Sequence, residues 1–238
     1  HWTYTFLSYG AAAIFCIIAL VLVPEPDRKG KIAVQEGISD IKERAKLTGG
    51  VYAVTILFGV YFMFWMAIAT NGAFVLVGEN LATPAMMGLL TTAMPVCNAI
   101  VGFSFGFIFK KIRFATMPIA CLLCALGLFI CHSASSAAMG ALAFGLCGAS
   151  SGLMQPSIVT KVTGMVPYSA GAAAISANYF FMGVLQFFQP IVFKTFGAYG
   201  TGRPAMLIAS ICVIVIGVLM VIVNRMTPAY QAPKDIAA

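Results

Sequence analysis

GLCGASSGLMQPSIVTKVTGMVPYSAGAAAISANYFFMGVLQFFQ, Gly145 to Gln189, carries most of the information about architecture in this chain. It reads as the end of one membrane span, a short basic turn and most of the next span. Its first half is dense in small residues, Gly145, Gly148, Ala149, Ser150, Ser151 and Gly152. Small side chains let helix backbones approach closely, the main way helices associate in lipid. Pro156 is expected to disturb that helix. Lys161 is expected in the turn, with Pro167 and Gly171 restarting the chain. The second half sets Asn178, Gln186 and Gln189 in an apolar run. On a helix Asn178 and Gln189 fall within about 20° of one another, and Gln186 about 80° from Asn178. An amide turned to hydrocarbon costs several kcal/mol unless it finds a partner. That face should meet another helix or a watery cavity.

The whole chain has this character. Of 238 residues, 61% are hydrophobic and 9% charged, against about 25% charged in soluble domains. The apolar residues run on for about 20 positions instead of alternating over about 10, which indicates spanning helices and not a membrane barrel. The fold class expected is all-α integral membrane with about seven transmembrane helices. The net charge of +7 collects in short loops between spans, with no basic face carrying stacking aromatics, so no nucleic-acid partner is expected. The seven cysteines lie in or beside apolar runs. Cys121 and Cys124 form a C-x-x-C with no second pair and no nearby acid, and read as small core residues; neither metal nor cofactor is expected.

Spans are expected at 4–23, 51–77, 85–109, 115–131, 137–160, 171–193 and 204–223. Residues 24–50 form a charged loop with an amphipathic helix over 32–47. Residues 225–238 form a polar tail. The segments are thus a lone helix (1–23), a cytoplasmic loop (24–50), a six-helix bundle (51–224) and a cytoplasmic tail (225–238). The chain starts at His1 without a basic leader and reads as a fragment or a processed product. Lys and Arg crowd the loops after the first, third and fifth spans and the tail, twelve in all, against Arg203 and Lys194 elsewhere. The positive-inside rule then puts the N-terminus outside and the C-terminus in the cytoplasm, in a plasma membrane. The last six spans divide three plus three, a pattern compatible with an inverted repeat.

With these features in place, the chain resembles the carboxyl-terminal half of a major facilitator superfamily transporter, preceded by the last helix of the amino-terminal half. The charged loop sits where that family joins its halves. GFSFGFIFKKIR (Gly102 to Arg113) is similar to the family's weaker copy of G-x-x-x-D-R-x-G-R-R, with Gly106, Lys111 and Arg113 near the glycine and basic positions and Lys110 in place of the aspartate. GLCGASSGLMQP and GAAAISAN followed by Gly183 look like the tenth and eleventh helices. The resemblance implies a secondary active transporter, ion-coupled, that moves a small organic solute by alternating access, with the lipid bilayer and an amino-terminal helix bundle as partners. A seven-helix receptor or sensor is the alternative, although the last span has no Lys for a Schiff base and no N-P-x-x-Y. An enzyme is not expected, because the spans hold no nucleophile with a base and no clustered ligands.

The resemblance places the substrate cavity on spans two, three, five and six, and the polar residues of the spans fall on those four. The candidate lining residues are Tyr61, Trp65, Asn71, Phe74, Met94, Asn98, Ser151, Gln155, Asn178, Met182, Gln186 and Gln189. Each also has a packing reading: amides as bonds between helices, Tyr61 and Trp65 as stacked aromatics, Met94 and Met182 as core filler, Gln155 as partner to a carbonyl freed by Pro156. Lys110, Lys111, Arg113 and Lys161 read as topology determinants or a cytoplasmic gate. No Asp, Glu, Lys or Arg stands in the middle of a span, so a coupling carboxylate is expected in the other half.

Overall fold

The computed structural model describes residues 17–18, 47–167 and 170–227. The first expected span (4–23), the amphipathic helix of 32–47 and the end of the tail lie essentially outside the described residues. Two compact units divide near Arg44.

The described residues of the second unit form seven α-helices, in order α1 (Gly49–Trp65), α2 (Ala67–Leu76), α3 (Pro84–Ile112), α4 (Thr116–His132), α5 (Ala137–Thr163), α6 (Gly171–Thr195) and α7 (Gly202–Met226). No strand occurs among the described residues. Among the described residues, five helical stretches are long and apolar enough to cross a membrane. One of them, Pro84–His132, has 49 residues, about 74 Å of helix at 1.5 Å per residue and far more than a bilayer core of about 30 Å. It is two crossings. The chain turns at Arg113, whose φ of 47° lies in the left-handed region, followed by a 3₁₀ turn, Arg113–Ala115. Neighbouring residues prove the reversal. Met94 meets Gly148 and Asn98 meets Gly152, so α3 runs parallel to α5. Thr116 meets Ser157 and Ser150 meets Ala120, so α4 runs antiparallel to α5. Since α1 and α2 form one interrupted crossing, the described residues of the unit make six crossings.

The ends of the expected spans agree with these helices to within about three residues, the scatter of such assignments. Helices α3 and α5 each carry an internal proline. Both α3 and α5 remain α-helical through Pro95 and Pro156. Proline removes one donor and crowds the preceding turn, and neighbouring helices hold the chain in place here.

Exchanging the first triplet (α1–α2, α3, α4) with the second (α5, α6, α7) leaves the helix pairs that join the two triplets unchanged. The parallel pair α3–α5 maps onto α1–α6, which is parallel as well: Tyr52 stacks on Phe181 and Phe64 on Phe193. The antiparallel pair α4–α5 maps onto α1–α7, where Gly50 meets Thr227 at one end and Glu79, beyond α2, meets Arg203 at the other. The pairs α4–α7 and α1–α5 map onto themselves. Three helices is an odd number, so the second triplet lies inverted relative to the first: the packing is a three-plus-three inverted repeat.

Glycine closes the two parallel seams. A Cβ on Gly152 would stand 2.6 Å from Asn98 O, and one on Gly148 would overlap the Met94 carbonyl. Gly148 and Gly152 form a G-x-x-x-G, the spacing that presents two bare backbone patches on one helix face. In the symmetry-related seam, a Cβ on Gly59 would stand 2.6 Å from Leu185 Cδ1 and 2.9 Å from Phe181 O. The outer faces of α4 and α7 carry Leu122, Leu126, Ile211, Ile214, Val215 and Val218, all exposed, the composition of a lipid-facing surface. This is an integral membrane protein of the helical class.

One end of the bundle gathers Lys110, Lys111, Arg113, Lys161 and Arg225. At the opposite end Arg203 makes a bidentate pair with Glu79 (2.6–2.8 Å) and donates to the carbonyls of His132 and Ala134. His132 Nδ1 sits 3.0 Å from Arg203 O. One guanidinium thus ties together the turns after α2 and α4 and the start of α7.

Candidate functional site

Two groups of polar residues stand out on the four inner helices, one that bonds helix to helix and one that lines open space. The first group bonds helix to helix. Tyr61 is fully buried and its hydroxyl bonds Ser150, whose own Oγ donates to Ala120 O at 2.7 Å. Trp65 donates from Nε1 to Cys147 O at 2.8 Å. Asn98 Nδ2 donates to Ser151 Oγ at 2.6 Å, and Ser151 donates on to Gly148 O. Tyr61 and Ser151 therefore do not line a cavity: each is sealed between helices, where a hydroxyl must find a partner. Asn98 and Trp65 are half-exposed, but their polar atoms serve the α3–α5 and α1–α5 contacts.

Lys161 needs a correction too. It is not in a turn but in the last turn of α5, and it is buried. Its Nζ donates to Thr227 O at 2.5 Å and reaches Asn224 O at 3.4 Å, with the Phe114 ring centroid at 5.0 Å. A cation on the free carbonyls at a helix C-terminus answers their partial negative charge. Lys161 fastens the end of α7. Lys110, Lys111 and Arg113 are exposed.

The second group lies toward the Glu79–Arg203 end. Thr70, Asn71 and Phe74 of α2, Gln189, Pro190, Phe193 and Lys194 of α6, and Gly197, Gly200 and Thr201 of the connection to α7 line an open cavity of about 530 Å³, within the range of small-molecule sites. Asn71 is five residues from the end of α2, about 8 Å by helical rise, so the cavity lies near one end of the bundle and not at its centre. Gln189 is 3% exposed and Asn71 6%. Both amides converge on one hydroxyl, with Asn71 Nδ2 and Gln189 Nε2 each 3.1 Å from Thr70 Oγ1. This bond joins α2 of one triplet to α6 of the other. The 3₁₀ turn Gly197–Gly200 forms one wall. It fits because Gly197 adopts φ 58° and because any Cβ on Gly200 would overlap Phe193 O. A second cavity of about 450 Å³, lined by Ala73, Phe74, Val77, Gly78, Pro84 and Met87, lies on the other side of Phe74.

Of the twelve candidate lining residues, the cavity unites Asn71, Phe74 and Gln189. Met94, Gln155, Met182 and Gln186 are half-buried and outside it. Gln155 makes no hydrogen bond among the described residues, so it does not repair a carbonyl beside Pro156. Asn178 shares the buried face of α6 with Gln189, as their spacing requires, yet it is fully sealed and both atoms of its amide lack partners among the described residues. Sequence reasoning missed Lys194 and the glycine turn as site residues. Lys194 stands just past the apolar run, where a cation reads only as a loop charge. Thr70 was signalled by its place beside Asn71. The cysteines Cys121 and Cys124 are buried and free, and no cluster of metal-ligating side chains occurs among the described residues.

No family model matches this chain, and no curated protein matches it.

Proposed function

We propose that this bundle is half of a secondary active transporter of the major facilitator type, working by alternating access against a second bundle of the same kind. The observation that carries the reading is the cavity whose amide–hydroxyl–amide cluster, Asn71, Thr70 and Gln189, spans the junction between the two inverted triplets. In such folds a solute site at the repeat interface senses any rocking of one triplet against the other. Glycine contacts in α3–α5 and α1–α6 bring helix backbones of the two triplets close together. With the basic end in the cytoplasm, the cavity sits in the outward half of the membrane. The spans bring no carboxylate to the cavity, so ion coupling falls to groups of the partner bundle.

The test is solute counterflow in proteoliposomes containing the whole protein, with a panel of labelled small organic solutes. Saturable flux that Asn71→Leu and Gln189→Leu each reduce by about tenfold or more, the scale of one or two buried hydrogen bonds, supports the reading. Absence of saturable flux for every solute, or flux indifferent to both substitutions, contradicts it.

A further inference from the structure

The hydrogen bonds around Thr70 fix which way the cavity's amides face. Thr70 Oγ1 lies 3.2 Å from Met66 O and 3.4 Å from Ala67 O of its own turn, and its single proton goes there. The oxygen can then only accept from Asn71 and Gln189, so both amides present their NH₂ groups to it. Their carbonyl oxygens, Asn71 Oδ1 and Gln189 Oε1, turn away. Neither accepts a hydrogen bond among the described residues, and neither is sealed as the amide of Asn178 is. The cavity therefore holds two free acceptors. It also holds a cation: Lys194 lines it, and no carboxylate among the described residues pairs with that lysine. Along α6, Lys194 is five residues beyond Gln189, about 7.5 Å by rise. Phe74, Pro190 and Phe193 supply apolar wall between these polar points.

We propose, building on the reading of this cavity as a solute site, that its ligand is a small zwitterion: a free α-amino acid with an apolar side chain. The ammonium donates to the amide oxygens, the carboxylate pairs with Lys194, and the side chain lies on the two rings. A simple carboxylate would answer the lysine and leave the two acceptors unmatched. A simple amine would satisfy the acceptors and meet the lysine's charge. A neutral polyol would leave the lysine unpaired and wet the phenyl faces. Only a molecule with both charges matches every free group.

The experiment is equilibrium binding to the whole protein in lipid nanodiscs, using leucine, leucinamide, 4-methylpentanoate, glucose and tetraphenylphosphonium. Leucine is expected to bind saturably and each of the others about tenfold more weakly or less, one charge-assisted hydrogen bond being worth about that factor. Lys194→Gln, a change at an exposed position that leaves the fold intact, is expected to weaken leucine by about tenfold while leucinamide is unchanged or tighter. Leucinamide or 4-methylpentanoate binding as well as leucine, or leucine binding indifferent to Lys194→Gln, overturns the zwitterion assignment. Glucose or tetraphenylphosphonium binding without leucine, in a manner sensitive to Gln189→Leu, also overturns it but leaves the solute site standing. If no probe binds, the zwitterion assignment falls, and counterflow decides separately whether the transporter reading falls with it.

Discussion

Gly152→Ala adds one methyl group at a backbone-to-backbone contact of the α3–α5 seam. The new Cβ would stand 2.6 Å from Asn98 O and 3.2 Å from both Asn98 Cα and Val101 Cβ. The atom it meets first belongs to backbone, so a rotamer change cannot relieve the clash. A carbon and a carbonyl oxygen rest at about 3.3 Å or more, so α3 must retreat by about 0.7 Å. Overpacking of this kind costs about 1–3 kcal/mol. The retreat also stretches the 2.6 Å bond from Asn98 to Ser151, and such intramembrane bonds contribute about 0.6 kcal/mol on average and at most about 1.7. Against these stands alanine's helix propensity, worth about 1 kcal/mol over glycine. The net prediction is destabilisation by about 1–3 kcal/mol. Gly183→Ala is the control. It lies inside α6, and nothing stands within 4 Å of the place its new methyl would take, so only the propensity gain acts there. Unfolding both variants in mixed micelles by titration with a denaturing detergent gives the two differences directly. A Gly152→Ala protein as stable as the Gly183→Ala protein would refute the claim that bare glycine backbone closes this seam.

Asn178→Leu removes a sealed amide with no partner among the described residues and keeps side-chain volume, so it should raise stability by about 1–3 kcal/mol in the same titration; a loss would mean that the amide is bonded after all. Phe74→Ala should join the two cavities that share its ring, and flux measurements should show larger solutes accepted at reduced discrimination. The hydrogen bonds from Arg203 hold the Glu79 carboxyl below its ordinary value. A depressed folded value means that the pair contributes fully above the ordinary carboxylate range and is lost as pH falls through the folded value. Acid unfolding of Glu79→Gln should therefore be flatter than the parent's below about pH 4.5, with a small difference at neutral pH because the pair is partly exposed.

The crossings were legible because hydropathy reports length and the chain supplies uninterrupted apolar runs. The face shared by Asn178 and Gln189 was legible because helical geometry alone sets it. The glycines announced close packing, although which helix each would touch needed the third dimension. What hydropathy could not convey was which polar groups spend their bonds on one another. Tyr61 and Ser150 are 89 residues apart, and nothing local in either neighbourhood distinguishes a sealed hydroxyl from one lining a hollow. Lys161 misled for a related reason. A lysine at the end of an apolar run ordinarily extends into water, but here the C-terminal carbonyls of α7 hold it inside. Lys194 shows the converse: the 3₁₀ turn that follows it folds back on α6 and converts a loop charge into a cavity wall.

Fold and proposed function rest together on one expected contrast: water at the inner face that carries Phe74 and Gln186, and lipid at the outer faces of α4 and α7. Nitroxides carried on a genetically encoded keto amino acid, which spares the native cysteines, can be placed at Phe74, Gln186, Leu122 and Val218 in nanodiscs. Their relaxation by a water-soluble nickel chelate and by oxygen then reports water and lipid at each position. A wet inner face requires chelate-dominated relaxation at positions 74 and 186, with oxygen-dominated relaxation at 122 and 218. Oxygen-dominated relaxation at all four positions would contradict it.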